Sequence, residues 1–159
     1  MPEKNGTAPL NALVIMLLCG FAGLFFAFIV ETYWTRIQYK DDPLFFPLST
    51  VIFYFFCFIA YIMQGSGFLL LSKHHKKSLY KKAFLVFWGQ FILGILWLGL
   101  FFGLKLSGLA FFDLFIAFLF LIVCFSFFRA IQMKAAFLLI PAGILIALMG
   151  MLNAWFIVV

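Results

Sequence analysis

The chain has 159 residues, of which 67% are hydrophobic, 22% aromatic and only 10% charged, and its formal net charge is +6. A soluble domain of this length needs far more polar surface to stay dispersed, so the mean hydropathy of +1.22 divides instead into several membrane spans. Nucleic acid is excluded as a partner of the positive charge, because the basic residues sit in connectors between apolar runs and read as topology signals.

Residues 1–8 form a short polar tail, and an apolar run follows over about 9–30. That run exceeds a usual signal-peptide core and lacks a clear small-residue cleavage site before Glu31, so it is expected to be a retained span. Cys19, Gly20 and Gly23 give it a small-residue face for close helix packing. Residues 31–49 are expected to be the one long loop, rich in rings (Tyr33, Trp34, Tyr39, Phe45, Phe46) and broken by Pro43 and Pro47. Rings of this kind anchor at headgroup level, or form a lid over a cavity open at that face.

The second span covers about 50–72. Tyr54, Cys57, Tyr61 and Gln64 fall on one helical stripe that holds almost all of its polar atoms. Such a stripe faces the bundle interior, either lining a pocket or bonding neighbouring helices. The basic connector Lys73 to Lys82 is expected to be solvated and to touch anionic headgroups. Its adjacent His74 and His75 point in different directions and make no metal site.

The third span, about 83–104, has no charge and exceeds the roughly 20 residues that cross a bilayer. Gln90, Gly94 and Trp97 recur on one face of it, and Gly99 and Gly103 form a small-residue strip near its far end. The fourth span, about 109–128, carries Asp113 in its first turns, where the helix dipole and free amides favour an anion. An intramembrane carboxylate is either functional or structural. The fifth span, about 135–159, is expected to kink at Pro141. It carries a small-residue seam of Gly143, Ala147, Gly150 and Ala154, with Asn153 beside it and Trp155 near the interface.

The fold class is therefore all-α: one integral membrane bundle of five transmembrane helices, 9–159, in contact with membrane lipids. Of the eleven basic residues, eight fall on the side of the N-terminus and three, Arg36, Lys40 and Lys105, on the other. For a bacterial-type inner membrane, which is the membrane favoured, this places the N-terminus in the cytoplasm. Cys19, Cys57 and Cys124 all lie in apolar runs without a CxxC pair, so no zinc site or disulfide framework is indicated. The spans show no paired carboxylates, no nucleophile with a histidine base and no metal cluster, so no enzyme is expected. Asp113 alone is too little for an ion path, which makes a small transporter or channel, or a structural subunit, the alternatives to a ligand-binding protein.

Two stretches carry a resemblance. GQFILGILWLGLFFGLKLSGLAFFDL resembles the pattern GQL-L-N--W---FFG----G-AL-D of the TspO/MBR family, with Gly89, Gln90, Trp97, Phe101, Phe102, Gly103, Gly108, Ala110 and Asp113 in place. AAFLLIPAGILIALMGMLNAW is similar to its A--LL-PY--W--FA--LN, with Ala136, Leu138, Leu139, Pro141, Ala147, Leu152 and Asn153 in place. These are the tryptophan-rich sensory proteins, which include the mitochondrial translocator protein. The chain departs from them at Gly94 (asparagine in the family), Leu145 (tryptophan), Ala142 (tyrosine) and early in the second span, where phenylalanines replace tryptophan.

The resemblance implies a pocket for a flat hydrophobic ligand, such as a porphyrin, haem or other tetrapyrrole, a sterol or a related lipid. It requires no cofactor, and it implies a homodimer formed through the third helix, where Gly99 and Gly103 belong to packing. The implied binding positions are Trp34, Tyr54, Tyr61, Gln90, Gly94, Trp97, Ala142, Leu145 and Ala147. Light-dependent porphyrin breakdown, linked to the family's helix tryptophans, loses one of them at Leu145. With Gly94 and Leu145 the pocket is expected to be wider and more apolar than in relatives.

Overall fold

A computed structural model of the protein describes residues 8–38, 50–74 and 78–158, without the side chains of 8–13, 34–38, 50, 155, 156 and 158. Within these residues the elements are α1 (Ala8–Gln38), α2 (Thr50–Ser72), α3 (Ser78–Leu98), a π-helical turn (Gly99–Gly103), α4 (Ser107–Ile131), α5 (Met133–Phe137) and α6 (Ile140–Val158). Five stretches are long and apolar enough to cross a membrane: Val14–Tyr33, Val51–Ser72, Ser78–Gly103, Ser107–Ile131 and Met133–Ala154. Helices are forced here because every backbone polar group in hydrocarbon must be satisfied within its own segment. Large apolar residues such as Phe21, Phe55, Ile95 and Phe112 are more than half exposed and meet lipid.

Three boundaries differ from the sequence-based expectation. Residues 31–38 continue α1 instead of beginning a loop, because ETYWTRIQ contains no proline or glycine to end the helix. The third helix does not run regularly to its end but widens into the π-helical turn, with Leu104 N donating to Gly99 O at 2.9 Å and Leu106 N to Leu100 O at 2.9 Å. The expected kink before Pro141 is a two-residue turn, bridged by Leu139 N donating to Ala136 O at 3.0 Å. The fifth span splits at Leu138 and Leu139, and Pro141 occupies the first turn of α6, where its missing N–H costs nothing. Between the third and fourth spans, Lys105 takes a left-handed conformation with φ 55°.

The helices pack in the order α1, α2, α5/α6, α4, α3 around the bundle. The α1–α2 seam is made by small residues. A Cβ on Gly23 would stand 2.8 Å from the Cys57 carbonyl, one on Gly20 2.8 Å from the Phe58 ring, and one on Gly65 2.9 Å from Cys19 Sγ. On the other side of the bundle, Gly89 admits the Phe120 ring and so seats α3 on α4. The ring closes from α3 to α1 through aromatic contacts, with centroids 5.9 Å apart for Phe26–Trp97 and 5.1 Å for Tyr33–Phe102.

The interior consists of two apolar clusters stacked along the bundle. One, at the end where α1 leaves the membrane, gathers Phe26, Val30, Phe53, Trp97, Phe101, Phe102 and Leu114. The other, at the opposite end, gathers Phe68, Leu71, Phe87, Leu121, Phe128 and Leu139. Between them lies a polar waist.

Candidate functional site

The waist is made by two amides on helices that run antiparallel. Gln64 sits on the inner stripe of α2 and Gln90 on the inner stripe of α3, and both are buried. Gln64 Nε2 donates to Gln90 Oε1 at 3.0 Å. In hydrocarbon an unpaired amide is costly, so this bond fixes the depth at which α2 and α3 face each other. Both side chains border a partly enclosed cavity of about 50 Å³.

Phe26, Tyr61, Phe91 and Trp97 supply the aromatic wall of that cavity, and Gly94, Leu145 and Met149 supply its open and aliphatic sides. The rings interlock: Tyr61 meets Phe91 edge-on at 5.6 Å and Phe26 at 6.0 Å, while Trp97 stacks on Phe101 at 5.3 Å. Gly94 leaves real space, because nothing stands within 4 Å of the position a Cβ would take. A volume of about 50 Å³ admits a few waters, each of which needs roughly 10–15 Å³ by this measure.

Of the positions expected to bind ligand, the structure brings together Tyr61, Gln90, Gly94, Trp97 and Leu145 at this cavity. The others lie elsewhere. Tyr54 is three turns of cavity-facing helix away from Gln64 and donates its hydroxyl to Glu31 Oε2 at 2.6 Å, a clasp between the ends of α1 and α2. Ala142 is buried one turn beyond Leu145, in the opposite apolar cluster. Ala147 is exposed and lines an outward groove of about 190 Å³ with Phe111, Phe115, Phe118 and Gly150, because α6 turns that face to the membrane. The side chain of Trp34 is outside the described residues, as are the loop residues 39–49.

Asp113 is buried but does not line the cavity, and its Oδ2 has no partner among the described residues. The expected stabilisation by free helix-end amides does not hold. α4 starts at Ser107, so Asp113 is already in the second turn, past the unpaired N–H groups. Asn153 serves that end instead. Fully buried, with its amide turned to suit both partners, it donates to Ser107 O at 3.1 Å and accepts from Phe111 N at 2.8 Å. Pro141 sets the break that lets the fifth span approach α4 in this way. Gly99 and Gly103 have nothing within 4 Å of a built Cβ and sit on the outer surface, away from the cavity.

Sequence reasoning did not name Phe26 and Met149, and it put Gln64 on the inward stripe of the second span, to line a pocket or bond a neighbouring helix, without placing it among the binding positions. For Gln64 a signal existed: it shares a stripe with Tyr61 and sits at mid-span, as Gln90 does. Phe26 and Met149 are ordinary apolar residues whose inward direction depends on neighbouring helices.

No curated protein sequence matches the chain. The sequence profile of the TspO/MBR family matches residues 12–158, nearly its whole length. With five apolar spans in one bundle and this match over nearly its whole length, the chain is an integral, multi-pass membrane protein that belongs to the TspO/MBR family.

Proposed function

We propose that this protein binds a flat hydrophobic molecule between its helices, a tetrapyrrole, a sterol or a similar lipid, in a sensory, regulatory or transport role. The observation that carries this reading is the pair of rings at the cavity rim, Phe26 and Trp97. Their centroids are 5.9 Å apart and their planes 29° from parallel, directly beside the amide waist and the space at Gly94. A planar ligand sliding between them needs about 7 Å between the ring planes, two van der Waals contacts, so the rings have to part to admit it. Ligand pockets usually run to roughly 300–1,000 Å³, so occupation requires α1 to move off α3. Those two helices meet there through side-chain rings, which yield more readily than close backbone packing.

The test is a titration of purified protein with protoporphyrin dimethyl ester and with a sterol, followed by tryptophan fluorescence. Saturable quenching that weakens on Trp97→Phe supports the reading. Linear, non-saturating quenching that is unchanged in the variant sinks it. We propose a binding role rather than a catalytic one, with no cofactor required, and an orientation that places the N-terminus in the cytoplasm of a bacterial-type inner membrane.

A second reading concerns assembly. The open, outward Gly99 and Gly103 favour a homodimer through the third helix. A cysteine placed at Gly99 should then give a crosslinked dimer in membranes, and its absence counts against that interface.

A further inference from the structure

The seam between α4 and α6 carries two grooves on the outside of the bundle. One, beside Ala147, reaches from Phe111 to Phe118 on α4. The other holds about 170 Å³ and is lined by Leu121, Ile122, Phe125, Leu139, Ile140 and Gly143, without a polar side chain. None of these six residues borders the inner cavity. Gly143 keeps the floor of the groove low, since a Cβ there would already stand 3.1 Å from Leu121 Cδ2. Ile122 and Ile140 are 48% and 46% exposed, so the groove opens outwards to hydrocarbon.

The α4 side of the seam is one stripe. Phe111, Phe115, Phe118, Ile122 and Phe125 follow in steps of four and three, and the next step of four reaches Arg129. At 3.6 residues per turn, Arg129 falls between the directions of Ile122 and Phe125, about 6 Å beyond Phe125 along the axis. Cα–Cβ bonds tilt towards a helix N-terminus, so this side chain sets out over the groove. Arg129 is exposed, lies in the last turn of α4, and stands two residues from the end of the span, at headgroup depth. Among the described residues it has no ion-pair partner. Asp113 is sixteen residues back along the same helix, about 24 Å, and Glu31 is bonded to Tyr54 at the opposite end of the bundle. Lys73, Lys81, Lys82 and Lys134 are exposed at the same end as Arg129, so the surface there is cationic throughout the described residues.

Depth and charge together select the occupant. Half of a hydrocarbon core of about 30 Å is about 15 Å, and the stretch from Arg129 back to Phe118 rises about 17 Å. The groove thus runs the depth of one leaflet and ends under a cation. A second copy of the chain fits this face poorly. Two copies in one membrane share an orientation, so a two-fold contact here sets Arg129 against the partner's Arg129, like charge on like charge. We infer that the α4–α6 face is a binding site for one anionic phospholipid. The Arg129 guanidinium pairs with its phosphate, and one acyl chain lies over Gly143 between Phe125 and Ile140 and ends near Phe118.

The test is native mass spectrometry of the full-length protein in detergent, titrated with phosphatidylglycerol or with phosphatidylcholine of the same acyl chains, and read as the Kd of the first lipid bound. Phosphatidylglycerol is expected to bind roughly fivefold more tightly, the worth of one interfacial cation. Arg129→Gln should bring that ratio to about onefold, and Arg129→Lys should keep most of it. The double variant Lys81→Gln, Lys82→Gln should leave it unchanged. Ile122→Trp, which fills the groove from its lipid side, should weaken the first binding of both lipids severalfold. A full preference in Arg129→Gln, or an equal loss in the double lysine variant, overturns the inference, since the basic surface as a whole would then be the attractant. Unchanged binding in Ile122→Trp, or displacement of phosphatidylglycerol by an equal concentration of glycerol phosphate, overturns it by showing that no acyl chain uses the groove. A crosslinked dimer from Ile122→Cys in phosphatidylglycerol membranes overturns it in favour of a second copy. Arg129 is exposed and unpaired, so its two variants are expected to fold, and their ratios decide the case alone if Ile122→Trp does not.

Discussion

Gly23 and Gly94 show how the same residue type serves opposite ends. At Gly23 a Cβ would press on the Cys57 carbonyl at 2.8 Å and on Tyr61 Cβ at 2.9 Å, and backbone cannot yield as a side-chain tip can. Gly23→Ala should therefore splay α1 from α2 and cost about 1–3 kcal/mol, the usual range for overpacking. Gly94→Ala meets nothing within 4 Å and should leave thermal stability within about 0.5 kcal/mol of wild type. Melting both variants in the same detergent checks the contrast, and a Gly94→Ala loss as large as that of Gly23→Ala would show that the cavity is not open space. Lys105 offers a gain. It is exposed and holds φ 55° without being glycine, so Lys105→Gly should raise stability by about 0.5–1 kcal/mol, the relief of left-handed strain less the added chain entropy. Which glycine is packed and which is open was not legible in the sequence, since both sit in runs of similar composition and differ only in what the neighbouring helix places opposite.

At the scale of elements, the helix ends carry the departures from regularity. α1 outlasts the bilayer because nothing in ETYWTRIQ stops it, whereas the fifth span breaks where Pro141 removes a donor. The sequence showed the proline but not that a two-residue break would result, because the extent depends on how Leu139 and Ala142 pack into the cluster around Phe87 and Phe128. The start of α4 depends on a residue more than forty positions away. Asn153 joins Ser107 O and Phe111 N, and it is fully buried, so no water can replace it. Asn153→Ala should cost about 1–3 kcal/mol, the range for leaving buried polar groups unpaired, and should raise amide exchange in the first turn of α4 before it does so in α2. Uniform exchange throughout the bundle would show that the contact does not act locally. Family resemblance marked Asn153, but its target could not be read from spacing, since it lies on another helix.

Across the whole molecule, two apolar clusters enclose a polar layer, which borders the proposed ligand site. A ligand that binds the folded bundle alone, supplied at a hundred times its Kd, should add about 2.7 kcal/mol of stability. Trp97 is 2% exposed and shared between the cavity wall and the cluster of Phe101 and Phe102. Trp97→Ala should therefore lower the unliganded protein by about 3–5 kcal/mol and also abolish the ligand increment, both read from thermal melts with and without porphyrin ester. A retained increment would move the ligand to another place, such as the outward groove beside Ala147.

The sequence by itself determined the number of spans, the family, and the inner faces of the second and third helices, because apolar length and 3.6-residue periodicity are local properties. It also supplied Tyr61, Gln90, Gly94, Trp97 and Leu145 as a group, through stripe and resemblance together. Only the tertiary structure decided that Tyr54 is committed to Glu31, that Ala142 belongs to the far cluster, that Ala147 faces lipid, and that Gln64 completes the waist. Those outcomes depend on the rotation and depth of one helix against another. In a bilayer, where both faces of a helix are apolar, no hydrophobic pattern records that rotation. It is set by close contacts between small residues and by the pairing of the few polar groups that hydrocarbon leaves unsolvated.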